Sequence, residues 1–334
     1  MGELLASDEY MEVLEGVKGE IARSRHRALM SVNEELLKTY WRIGARVNAH
    51  IEWGTSFVEA LAADIRAEFP GVRGFSSRSL RYMAKFAREV DEEFLQQAAA
   101  RIPWGHMMYL LDKTEPGDER AWYVAAAAEN GWSRSVLMHQ VDTGLYARQA
   151  LADKVTNFDR TLPQPESDLA RDALKDPYVF DFVMAGGAMA ERELEDEMVR
   201  NVTSLLLELG TGFAFMGRQY HLEVDGQDFY IDLLFYNTRI RSHVVVELKA
   251  DEFKPEYAGK LNFYLAAVDD LLRGEHDRPT IGLLLCKTKS NTVAEYALRN
   301  VGSPIGVSEY RVSGGLPDYA AGVLPDPADL ARRV

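Results

Sequence analysis

The chain has 334 residues, 47% of them hydrophobic and 27% charged, a size that suits two domains with separate cores. Its formal net charge of −14 argues against a surface coated in basic residues for nonspecific nucleic-acid binding, although a local basic groove stays compatible with it. No apolar run nears the roughly 18 to 20 residues of a membrane helix, the acidic start lacks the regions of a signal peptide, and the single Cys286 removes intrachain disulfides and a cysteine-built zinc site.

A cytoplasmic protein is therefore expected, with Cys286 in the core. From Met11 to His50 apolar residues recur at three- and four-residue spacing without proline, which predicts a long helix. Its later buried stripe would be Leu29, Val32, Leu36, Leu37, Tyr40, Trp41, Ile43 and Val47. FVEALAADIRAEF, capped by Thr55 or Ser56 and stopped by Pro70, predicts a second helix. GVRGFSSRSLRYMAKFAREV predicts a third, capped by Ser76 or Ser77, with Leu80, Met83, Phe86 and Val90 inward.

This helix, turn and capped helix follow the order of a helix-turn-helix. The outer face carries Arg78, Arg81, Lys85 and Arg88, with Arg73 in the turn, and forms the best basic patch of the chain. It suits DNA phosphates and base edges; the plainer reading is a solvated helix face. Three further helices follow, separated by PWG, EPGD and NGWS, with Ser133 as a cap. His106 and His139 read as structural groups, and nothing in this half has the spacing of a metal site or a nucleophilic triad.

Proline and charge replace apolar periodicity between Asn157 and Lys175, which marks a linker and a short helix. The expected division is a helical domain over 9–156, a linker over 157–176, a second domain over 177–313 and a tail over 314–334. After one helix, MAERELEDEMVRNVTSLLLELG, capped at Gly210, the period changes to alternation. A three-strand meander then precedes helix, strand, helix and strand. The sum is an α-helical N-terminal domain followed by an α/β domain with a central sheet.

FYIDLLFYNTRIRSHVVVELKA, from Phe229 to Ala250, sets charged residues inside strand-like runs, where burial without partners costs several kcal/mol. A turn centred between Arg239 and Ile240 places Asp232 opposite Glu247, with Cβ atoms about 5 Å apart. Like charges so opposed call for a cation, and a hard divalent ion with oxygen ligands would serve. Lys249 shares the face of Glu247 by strand alternation, giving the minimum equipment for metal-assisted phosphodiester hydrolysis. The plainer reading is a structural salt bridge.

A tight turn at Asp225 and Gly226 places Gln219 beside Asp232, within reach of a metal's water or a phosphate, or merely satisfied by a neighbour. On the preceding helix Glu191 and Glu195 lie four apart on one face. One of them could complete the site; the alternative is an exposed acidic face.

The glutamate-bearing helix, Asp232 and Glu247-Leu248-Lys249 resemble the active site of the PD-(D/E)XK nuclease superfamily. The long stretches ERELEDEM, LLLELGTGFAFMGRQYHLEVDGQDFYIDLLFY and PTIGLLLCKTKSNTVAEYALRN resemble the YhcG-type nucleases more closely, and GFSSRSLRYMAKFARE and GWSRSVLMHQVDTGLYAR resemble that family's helical N-terminal domain. The resemblance covers nearly the whole chain. It implies a restriction-endonuclease-like fold and a Mg²⁺- or Mn²⁺-dependent DNA endonuclease, in recombination-type processing or defence against foreign DNA.

By position it implies Asp232 and Glu247 as metal ligands, Lys249 as the catalytic lysine, and Glu195 as the helix glutamate with Glu191 as second choice. Related nucleases often carry Gln four residues before a Tyr on the helix after the E-x-K; this chain has Lys260 and Tyr264, and Lys260 is expected to meet DNA phosphate. A competing class is a DNA-binding or assembly module whose nuclease centre is silent or activated by a partner, such as a defence-system protein. Hydrolysis of a phosphodiester does not itself discriminate the sugar, so RNA stays open as a substrate. Cutting both strands of a duplex is simplest with two active sites, which predicts a homodimer or larger homo-oligomer.

Overall fold

A computed structural model describes residues 8–50, 55–98, 101–183 and 190–312. The tail from Gly314 and the side chains of Leu29 and Thr55 lie outside the described residues. The chain divides into two compact units, Met1–Val141 and Asp142–Val334.

The first unit is helical: α1 (Asp8–Asn48), α2 (Thr55–Glu68), α3 (Ser77–Glu89), α4 (Glu92–Ala98), α5 (Trp104–Lys113), α6 (Asp118–Asn130) and α7 (Arg134–Asp142). Tyr40 and Val47 of α1, Val58 and Ala62 of α2 and Leu80 and Met83 of α3 share one core. Gly44 makes this possible, because a Cβ there would collide with the Met83 carbonyl. Ser76 caps α3, its Oγ accepting from Ser79 N–H at 3.2 Å, and Ser133 Oγ accepts from Val136 N–H at 3.3 Å.

The expected stripe of α1 is left exposed at its start and used after it, with Trp41 and Ile43 partly buried. Val32 is 68% exposed and Leu36 39%, whereas Leu37, Tyr40 and Val47 are buried. The apolar spacing starts earlier than the burial does. The α2–α3 connection, residues 69–76, is also longer than the three or four residues of a helix-turn-helix turn. His106 is buried with Nε2 2.9 Å from the Trp132 carbonyl, a satisfied structural group.

The second unit is built on a mixed sheet of seven strands in the order β1-β7-β6-β5-β4-β3, with β2 also beside β7. The strands are β1 (Val155–Thr156), β2 (Tyr178–Phe180), β3 (Phe213–Val224), β4 (Gln227–Asn237), β5 (Ser242–Glu252), β6 (Ile281–Thr288) and β7 (Ile305–Val312). β3, β4 and β5 form the antiparallel meander; β5, β6 and β7 run parallel, connected through α12 (Pro255–Leu271) and α13 (Asn291–Leu298).

Side-chain alternation builds a core on each face. Leu233, Phe235, Val244 and Val246 pack toward α8 (Phe158–Thr161), α9 (Glu166–Ala173), α10 (Glu191–Arg200) and α11 (Val202–Leu209), while Leu234, Val245, Leu284 and Cys286 pack toward α12 and α13.

The stretch expected as a linker belongs to this unit. Val155 pairs with Val307, and Phe158, Leu162, Ala170 and Leu174 join the core, with Phe158 and Leu174 lying against Gly306 of β7. Proline interrupts the periodicity there, but the scattered apolar residues still find one sheet face. The expected single helix before the sheet is two, α10 and α11, broken at Asn201, whose amide donates to the Glu197 carbonyl at 3.0 Å. Among the described residues, no helix is long and apolar enough to cross a membrane.

Candidate active site

The turns of the meander set the site. Asp225 and Gly226 both take left-handed φ, 50° and 71°, as a two-residue hairpin turn requires. Tyr220 therefore pairs with Ile231 and Arg218 with Leu233, and at the next turn Leu233 pairs with Val246. Both registers continue to Asp232, toward Gln219 on one side and Glu247 on the other.

Neither continuation is itself a paired position. Gln219 has φ 45°, which turns the strand locally, and Asp232 Oδ2 accepts the Leu248 N–H at 2.9 Å. The pleat changes phase here: Phe229 and Ile231 lie with the α12 core, but Leu233 and Phe235 with the opposite one. Strained backbone of this kind costs about 1–3 kcal/mol and gathers at functional sites. Asp232 thus sits where both neighbouring ladders are interrupted and its carboxylate is released from the sheet pattern.

Asp232, Glu247 and Lys249 are all buried, Glu247 to 1% exposure. Burial, with Asp232 nearby, pushes the Glu247 carboxyl up to about 7, and burial also raises Asp232. Burial opposes the charge of Lys249, but Glu247, Asp232 and Glu191 outweigh it and hold the ammonium more firmly protonated than usual. Lys249 Nζ donates to the Leu248 carbonyl at 2.7 Å and to Glu191 Oε2 at 3.2 Å, and lies 3.6 Å from Glu247 Oε2.

α10 reaches the site twice. Glu191 also accepts the Ala250 N–H at 3.3 Å, so it holds the Lys249 end. Glu195, buried and raised in pKa by that burial, accepts from Gln219 Nε2 at 2.7 Å on the Asp232 side. The two glutamates thus occupy different ends of the same site. Lys260 of α12 enters as well, donating to Glu247 Oε2 at 2.9 Å, where the sequence suggested only a phosphate contact. Tyr257, which the sequence did not single out, lies with its ring centroid 5.5 Å from Lys249 Nζ; its place one turn into α12 beside the E-x-K was the available signal.

The donor set suits a hard cation. Glu247 Oε1 is buried with no hydrogen-bond partner, and two neighbouring carboxylates both resist ionisation. Among the described residues no three His, Cys, Asp or Glu side chains converge as a ready cluster, but Mg²⁺ is often held by one or two carboxylates and keeps several waters.

Two family models match, the DUF1016 N-terminal domain over residues 16–148 and the YhcG PDDEXK nuclease domain over residues 171–324. The second half of the chain carries a YhcG PDDEXK nuclease domain. The chain is 28% identical to "Putative nuclease YhcG" of Escherichia coli (strain K12), covering 92% of this chain and 91% of that one. Among solved structures it is similar to a repair endonuclease from Pyrococcus abyssi, with 18% identity and a TM-score of 0.27 over 39% of this chain and 49% of that chain. It is also similar to the EndoMS-dsDNA2 complex, with 17% identity and a TM-score of 0.27 over 39% of this chain and 48% of that chain. The chain spans about half the length of these solved structures. Asp232, Glu247 and Lys249 all lie within the matched YhcG PDDEXK nuclease domain.

In the region matched by the DUF1016 N-terminal domain the basic face of α3 is partly neutralised. Arg81 pairs with Glu59 at 3.2 Å, Lys85 with Asp112 at 3.1 Å and Arg88 with Glu89 at 3.6 Å. Arg73 is exposed, and Arg78 lies over the Tyr82 ring at 5.7 Å. Neither arginine makes an ion pair among the described residues, so the basic face is narrower than the sequence suggested.

Proposed function

We propose that this protein is a metal-dependent endonuclease that hydrolyses DNA phosphodiesters, acting in recombination-type processing or in defence against foreign DNA. The observation that carries this reading is the buried Asp232–Glu247 pair with Lys249 held between Glu247 and Glu191. Asp232 and Glu247 are the residues that would hold Mg²⁺, or Mn²⁺ in its place. When bound, the ion supplies Lewis acidity and an activated water.

The chain's own residues supply position and charge. Lys249, kept cationic by the surrounding carboxylates, offers its ammonium to a phosphate oxygen as negative charge develops, rather than serving as a free base at neutral pH. Glu191 orients that ammonium. Gln219 fixes Glu195 on the Asp232 side, where the glutamate would orient the attacking water. The helical unit would bind the DNA backbone through Arg73 and Arg78, with Arg81, Lys85 and Arg88 recruited as their pairs exchange for phosphate.

The test is a cleavage assay with Mg²⁺ and Mn²⁺ across duplex, single-stranded and branched DNA and RNA. Metal-dependent cutting is expected, with a loss of at least about 100-fold in Glu247→Ala and Lys249→Ala. Cutting that survives both changes would refute the site. DNA binding without cleavage under either metal would favour a binding module with a silent or partner-activated centre.

A further inference from the structure

Glu247 receives two ammonium groups on a single oxygen. Lys249 and Lys260 lie 3.6 and 2.9 Å from Oε2, while the buried Oε1 has no partner. The two lysines are not equivalent. Lys249 is buried and anchored by the Leu248 carbonyl and Glu191 as well. Lys260 is 46% exposed in its side chain, and Glu247 is its one carboxylate partner among the described residues.

Lys260 already has a second partner that does not depend on Glu247. Its Nζ is 5.0 Å from the centroid of the Tyr264 ring, one helical turn on, and an aromatic face accepts an ammonium with modest stabilisation. A long, half-exposed stem can move without disturbing the core. A divalent ion held by Asp232 and Glu247 would meet repulsion from a second ammonium hydrogen-bonded to the same carboxylate.

We propose that Lys260 is a tethered counter-ion that competes with a divalent cation for Glu247 and so sets how much free metal the centre needs. The inference rests on the reading of Asp232 and Glu247 as the metal-holding pair. Lys260 is a positioning residue in this role, acting on the carboxylate rather than on the scissile phosphate.

The test is calorimetric titration of Mn²⁺ alone, without nucleic acid, into the full chain and its Lys260→Gln, Lys260→Met, Lys260→Arg and Glu247→Gln variants, each verified as folded by circular dichroism. Lys260→Gln and Lys260→Met should bind Mn²⁺ about tenfold more tightly, equivalent to about 1.4 kcal/mol. Lys260→Arg should stay near wild type, and Glu247→Gln should lose the site. Unchanged or weaker binding in both neutral variants, with binding lost in Glu247→Gln, overturns the counter-ion role and leaves the metal pair standing. Tightening in Lys260→Arg equal to that in Lys260→Gln would show that shape rather than charge acts, and also overturns it. Binding unaffected by Glu247→Gln overturns the metal pair itself.

Discussion

Glu247 concentrates the physical tension of the site. Its carboxyl is raised from 4.5 to about 7 by burial and by Asp232, even with two ammonium groups against it. A carboxylate raised on folding favours the protonated native state, so its penalty is absent below the ordinary pKa, grows between about 4.5 and 7, and is complete above that. Metal-free stability should therefore fall as pH rises through this window, by up to about 2–3 kcal/mol. Glu247→Gln should remove most of that slope in denaturant unfolding followed from pH 4 to pH 8, and an unaltered slope would assign it to other groups. The charged trio Asp232, Glu247 and Lys249 was legible because each interrupts an apolar strand. The part of Lys260 was not, because its contact with Glu247 joins the middle of β5 to a helix that only packing brings against it.

At the scale of elements, α10 and α3 show opposite outcomes for helical spacing. Four-residue spacing puts Glu191 and Glu195 on one face, and the structure uses both, one on Lys249 and one on Gln219. The same spacing on α3 collects basic side chains, but Glu59 of α2 and Asp112 of α5 arrive from elsewhere and, with Glu89 at the end of α3 itself, occupy three of them. The double change Arg73→Ala, Arg78→Ala should weaken DNA binding at all sequences and reduce the salt slope by about 2. Lys85→Ala should cost less, since its ammonium already holds Asp112. Fluorescence anisotropy at several salt concentrations measures both, and an equal or larger loss in Lys85→Ala would move the DNA contact to the paired part of the face.

For the whole molecule, one sheet carries the chemistry, and the middles of β3, β4 and β5 gather residues far apart in sequence. A homodimer is the simplest assembly for cutting both strands of a duplex, so light scattering should give at least twice the 37.6 kDa chain mass. A monomer mass with and without DNA would remove that expectation. The sequence by itself determined the helical first half, the meander, the two helix–strand repeats after it and the register that brings Asp232 toward Glu247, because periodicity and turn chemistry are local. Only the tertiary structure decided that Asn157–Lys175 lies on the sheet, that the ladders break at Asp232, and that Lys260 meets Glu247. These depend on contacts between distant segments, where burial and charge pairing override the local pattern.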